Sequence, residues 1–101
     1  MPFAHVGPRT RLGKACILNT RASLDHDCLM SDFASLSPGV TTGGSVVIGP
    51  KTAVGVGASI QQQVTVGGNS VIGAQSFVNK DIENDVLAFG IPCKPIRTKI
   101  P

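Results

Sequence analysis

The chain has 101 residues and a net charge of +3, with 42% hydrophobic residues, 15% charged residues and 12 glycines. That aliphatic content with so few charges excludes a disordered chain. Aromatics are 4%, with no Trp and no Tyr, which removes both the bulk that fills most sandwich or bundle cores and the stacking surfaces of a single-strand nucleic-acid reader.

The chain opens with MPFAHVGPRTR, which has no apolar stretch for a signal peptide. Nowhere does an apolar run approach membrane-spanning length. Cys16, Cys28 and Cys93 cannot all pair within the chain and lack metal-type spacing, as fits a reducing compartment. A cytoplasmic protein with no membrane or nucleic-acid partner is expected. Residues 1–5 read as a lead-in.

From Val6 the chain falls into sixes. The first positions run Val6, Leu12, Leu18, Leu24, Met30, Leu36, Thr42, Ile48, Val54, Ile60, Val66, Ile72 and Val78, and Thr42 alone breaks the aliphatic column. Second positions favour Gly, Asn and Asp, as at Gly7, Asn19, Asp25 and Gly43, residues that tolerate unusual backbone angles at corners. Fifth positions are small or β-branched, from Thr10 and Cys16 to Ser76 and Ile82. Period six does not match the 3.6 of a helix, and an ordinary antiparallel sheet needs no fixed six-residue count.

A short strand plus a corner, repeated, is the signature of a parallel β-helix. Three hexads close one triangular coil, so residues three hexads apart stack, and residues 6–83 make about four coils. Such coils hold only as a cooperative stack. The segment 84–101 then caps the last coil. Its cations Lys94, Arg97 and Lys99 suit a phosphate-bearing small molecule.

This repeat resembles that of the hexapeptide-repeat acyltransferases, which implies an all-β, left-handed parallel β-helix. Residues 19–44, NTRASLDHDCLMSDFASLSPGVTTGG, resemble the catalytic region of the sialic-acid and amino-sugar acetyltransferases of bacterial surface-glycan pathways. The closing VNKDIENDVLAFGIPCKPIR resembles that family's last segment. The resemblance implies a homotrimer that uses acetyl-CoA and acetylates a hydroxyl or amine of a small, sugar-type acceptor. It places the catalytic histidine on His26, followed by Asp27, and the backbone contact to the acetyl group on Gly44. The closing Gly-x-Pro-x-Lys falls on Gly90, Pro92 and Lys94. Ser35 stands where relatives often carry a second histidine. Those relatives usually carry an N-terminal sugar-nucleotide domain, which residues 1–5 cannot make. The expected acceptor is therefore smaller, or presented by a partner.

Stacking across three hexads puts Gly44, Gln62 and Lys80 above His26 on one corner. With strands about 4.8 Å apart, His26 to Lys80 spans about 14 Å, roughly the reach of an extended pantetheine arm. Each member has a use: a neutral imidazole takes the acceptor's proton, the Gly44 N–H meets the thioester oxygen, and Lys80 meets a phosphate. Two rival functions fail on the residues. A zinc site of three histidines is excluded within one polypeptide, since only His5 and His26 exist. Regular outward threonine arrays, as on ice-binding β-helices, are absent. The standing alternative is a non-catalytic or CoA-binding trimeric β-helix that serves as a structural partner.

Overall fold

Residues 3–98 are described by the computed structural model; Lys99, the last of the tail cations, lies outside them. Thirteen two-residue strands wind into three parallel sheets, and a terminal hairpin follows. Sheet A stacks β1 (His5–Val6), β4 (Ser23–Leu24), β7 (Thr41–Thr42), β10 (Ser59–Ile60) and β13 (Phe77–Val78). Sheet B stacks β2 (Arg11–Leu12), β5 (Leu29–Met30), β8 (Val47–Ile48) and β11 (Thr65–Val66). Sheet C stacks β3 (Ile17–Leu18), β6 (Ser35–Leu36), β9 (Ala53–Val54), β12 (Val71–Ile72), β14 (Val86–Gly90) and β15 (Cys93–Thr98). Every rung up to Val78 pairs across three hexads, as in Val6↔Leu24 and Leu36↔Val54.

The aliphatic column forms the core. Leu18, Leu24, Met30, Leu36, Ile48, Val54, Val66, Ile72 and Val78 are wholly buried, and fifth-position Ala22, Ala34, Val40, Val46 and Ala58 join them. Two residues per hexad therefore point inward. Val6 and Leu12 are the exceptions, at 43% and 42% exposed; both open the first coil, whose third rung, Leu18, is wholly buried. Thr42, the break in the column, is buried, and its hydroxyl accepts the Asp25 N–H at 3.2 Å.

The corners depart from the sequence reading in one respect. Left-handed backbone falls on the fourth position of the hexads, as at Arg9, Asp27, Phe33, Ser45 and Gln63, and not on the second-position glycines. The reason lies in the backbone ladder. From the second coil onward the left-handed residue donates its N–H to the third-position carbonyl one coil below: Asp27 to Pro8, Ser45 to His26 and Gln63 to Gly44, all at 2.9 Å. This repeated bond offsets the cost of the left-handed conformation in non-glycine residues. Second-position glycine serves close approach instead. A Cβ on Gly49 would lie 2.5 Å from the Gly68 nitrogen on the coil above.

The last coil is also shorter than the hexads suggest. After Val78 the register slips: Ile82 bridges Val66 where an unbroken count would bring Asn84, and Ala88 pairs with Ile72 where it would bring Gly90. The stack therefore reaches about five turns, where residues 6–83 alone account for about four. Beyond it β14 and β15 form an antiparallel hairpin on sheet C. Gly90 at the hairpin tip has φ 114°, a conformation that suits glycine. No helix among the described residues is long and apolar enough to cross a membrane.

Candidate active site at the corner between sheets A and B

Leu24 ends β4 inside the core and Leu29 opens β5, so residues 25–28 must turn the corner from sheet A to sheet B. Asp25 starts the turn by accepting the His26 N–H on Oδ1 at 2.9 Å, and its carbonyl accepts the Thr10 hydroxyl at 2.8 Å. Cys28 closes it: the buried thiol lies 3.6 Å from the His26 carbonyl and 3.4 Å from the Gly43 carbonyl. Packing below and hydrogen bonds at both ends thus fix the backbone of His26.

The side chain of His26 is held as well. Its Nδ1 lies 2.8 Å from Asp27 Oδ2. Asp27 is in turn gripped by Arg9 from the coil below, with Nε on Oδ1 at 2.7 Å and Nη2 on Oδ2 at 3.0 Å. The hydrogen bonds from Arg9 first, and then that from His26, lower the Asp27 carboxyl to about 2. An ionised carboxylate can only accept, so Nδ1 carries the proton and donates it. The other ring nitrogen, Nε2, is left with a free lone pair.

Nε2 faces Gly44. A Cβ on Gly44 would sit 2.4 Å from His26 Nε2 and 2.5 Å from Cε1. The ring lies in the space that only glycine leaves open. Among the described residues the Gly44 N–H donates to no protein atom, while its carbonyl is occupied by Gln63. A base and an unused backbone donor therefore meet on one corner. Half of the His26 side chain is open to solvent (51%).

The other sequence-derived candidates are placed as follows. Gln62 occupies the same corner one coil above Gly44, where its backbone approaches Gly43. Lys80 lies in the bend just after β13, in the shortened connection to Ile82. Lys94 does not share this corner: it pairs with Phe89 on sheet C, and the hairpin tip bonds to Ser76 through the Gly90 N–H at 3.1 Å. Ser35 faces outward from sheet C between Ile17 and Ala53, also away from His26. Arg9 was missed by the sequence reading. Its signal was the same three-hexad offset that stacks Gly44 on His26, applied downward from Asp27. No group of His, Cys, Asp and Glu among the described residues could hold a metal ion.

Two shallow clefts lie elsewhere. One of about 520 Å³ is at the corner between sheets B and C, beside Lys51, Asn69 and Asp85. The second, of about 480 Å³, lies on sheet B around Leu12, Leu29 and Asp32. Neither is lined by His26.

Known structures share this fold. A histidine-to-alanine variant of GDP-perosamine N-acetyltransferase from Caulobacter crescentus, in complex with CoA and GDP-perosamine, superposes with a TM-score of 0.85 at 31% identity, over 95% of this chain and 54% of that one. The fold is that of the hexapeptide-repeat acetyltransferases. Its solenoid is the left-handed parallel β-helix of those enzymes. The acetyltransferase domain of PglB from Neisseria gonorrhoeae FA1090, in complex with acetyl coenzyme A, matches with a TM-score of 0.83 at 32% identity, over 94% of this chain and 55% of that one. By sequence, the chain is 33% identical over 61 residues to GDP-perosamine N-acetyltransferase of Escherichia coli O157:H7, covering 60% of this chain and 28% of that protein. It thus spans about half of the matched structures and less of the curated relative. No family model matches the chain.

Proposed function

We propose that the chain is an acetyl-CoA-dependent acetyltransferase module that moves an acetyl group to a hydroxyl or amine of a sugar-type acceptor, with His26 as general base. The observation that carries this reading is the position of His26 Nε2 against Gly44, with its proton locked on Nδ1 by Asp27. As the acceptor oxygen or nitrogen bonds to the acetyl carbon, Nε2 takes its proton. The free Gly44 N–H receives the charge that develops on the carbonyl oxygen. When the carbon–sulfur bond breaks, the proton on Nε2 passes to the departing thiolate. Imidazolium forms transiently, beside the ionised Asp27 that favours it.

The relatives are in complex with CoA or acetyl-CoA, and one of them with GDP-perosamine as well. This supports acetyl-CoA as co-substrate here and a sugar-type acceptor. Gln62 and Lys80 continue the corner above Gly44 and would line the ligand's length. Lys94 lies on sheet C, so it would reach that ligand from a neighbouring copy. A half-open His26 that lines neither cleft does not enclose a ligand within one chain. The reading therefore includes a homotrimer whose grooves lie between prisms; a monomer by light scattering at micromolar concentration refutes this part.

The test is thiol release from acetyl-CoA with a panel of free and nucleotide-linked amino and hydroxy sugars. His26→Asn lowers the rate about 10²–10⁴-fold, the usual worth of a general base, while acetyl-CoA affinity by thermal shift stays near that of the unaltered chain. Unchanged turnover in the variant assigns the proton to another group and refutes the reading.

A further inference from the structure

We infer that Arg9 is a positioning residue for His26, acting through Asp27 to keep the imidazole proton on Nδ1 and the Nε2 lone pair free. The inference rests on the reading of His26 as the base. Arg9 sits at the fourth position of the first coil and Asp27 at the fourth position of the second. Both are left-handed, with φ 57°. Their side chains therefore leave equivalent points of two stacked corners and meet. The Asp27 N–H also donates to the Pro8 carbonyl at 2.9 Å, so backbone and side chain tie the two coils together at the same place.

The geometry is that of a clamp. Arg9 covers both Asp27 oxygens, and Oδ2 is shared between Arg9 Nη2 and His26 Nδ1. A corner carboxylate that is 37% exposed is otherwise free to rotate into water. Two parallel N–H···O bonds from a planar guanidinium fix the plane of the carboxylate, which a single point charge does not. With the plane fixed, Oδ2 stays on Nδ1. The bond made by one ring nitrogen sets the tautomer of the other, so the clamp on Asp27 decides which nitrogen faces Gly44.

The pairing is also selective. Among the described residues Arg9–Asp27 is the single ion pair between an Arg or Lys and a carboxylate, although Lys51, Lys80, Asp81 and Asp85 stand on corners of the same stack. Among the described residues, Arg and Lys pair with a carboxylate only at the corner that holds His26.

The test reads the tautomer directly. Long-range ¹⁵N–¹H correlation on the full chain, at a pH where the ring is neutral, distinguishes Nδ1–H from Nε2–H and needs no turnover. The unaltered chain shows mainly Nδ1–H. In Arg9→Met the Nε2–H share rises about two- to fivefold, the size expected for an exposed ion pair. The kcat falls by a similar factor with KM unchanged, and Arg9→Lys lies between. In an Asp27→Asn background Arg9→Met adds nothing, since a residue that acts only through Asp27 has lost its route. An unchanged tautomer in Arg9→Met overturns the inference. So does a further loss in the Asp27→Asn background, or a loss that falls on KM, either of which would make Arg9 a ligand contact. If no acetyl transfer is measurable, the proposed activity fails on its own assay and the tautomer measurement still decides the role of Arg9.

Discussion

Substituting Gly44 by Ala tests the site with a single methyl group. The φ of Gly44 lies outside the left-handed region, so alanine fits the backbone and the perturbation is purely steric. The new Cβ would lie 2.4 Å from His26 Nε2, where ordinary contact begins at 3.4 Å. The ring must therefore retreat by about 1 Å. Cys28, Asp25 and the Asp27 N–H bond to Pro8 pin the backbone beneath it, so the retreat falls on the side chain and stretches or breaks the 2.8 Å bond to Asp27. A misplacement of about 1 Å at a reacting group costs on the order of 10²-fold in rate.

Stability should barely change, since a half-exposed ring swings toward water at a cost of about 0.5 kcal/mol or less. The assay pairs thiol release from acetyl-CoA with a thermal melt. The expected result is a near-native Tm, about 10²-fold slower transfer, and no further loss when Gly44→Ala is added to His26→Asn. Transfer within threefold of the unaltered chain would show that the space beside Nε2 is not used. A chain that fails to fold would show that Gly44 serves the coil rather than the chemistry.

Three further outcomes follow from the packing and the charges. Leu36→Ala, in the buried column between Leu18 and Val54, costs about 2–5 kcal/mol, against well under that for Leu12→Ala on the open first coil; equal Tm losses in the two variants would refute the burial difference. Because Asp27 is lowered to about 2 in the folded chain and an unfolded carboxyl titrates near 3.9, its contribution to stability is present above about pH 4 and is lost as pH falls toward 2. Urea melts of the unaltered chain and Arg9→Met should therefore converge between pH 4 and pH 2, and a constant gap would refute the link. Thr42→Val leaves the Asp25 N–H without its acceptor, costing about 1–3 kcal/mol; a melt unchanged from that of the unaltered chain would mean that this bond holds nothing.

Much of this molecule was legible in one dimension because the fold is nearly one-dimensional. A coil of three hexads turns sequence spacing into spatial stacking, so the buried column from Leu18 to Val78, the three-sided coil and the meeting of His26 with Gly44 all follow from counting. The resemblance of residues 19–44 to a catalytic region added the expected chemistry, and the fold that the resemblance implied is the one observed. Counting ended where the chain left the count. The connection after Val78 is shorter than a hexad, and the sixes carry no sign of it, because Ile82 reads equally well as a small-corner filler and as the next core residue.

Left-handed corners fell on the fourth position rather than on the second-position glycines; from the second coil onward a backbone bond to the coil below supports them, and residue types do not encode that bond. Tertiary structure also separated Lys94 from the His26 corner: a hairpin has no period, and only its pairing with Phe89 places it on sheet C. The exposure of Val6 and Leu12 likewise belongs to the stack rather than to the residues: both are aliphatic members of the column that stand at its open first end. Arg9 lies between the two cases. Its register below Asp27 was countable, yet whether two exposed side chains close into a bidentate pair depends on the direction in which each left-handed corner projects them, and that direction exists only in the folded coil.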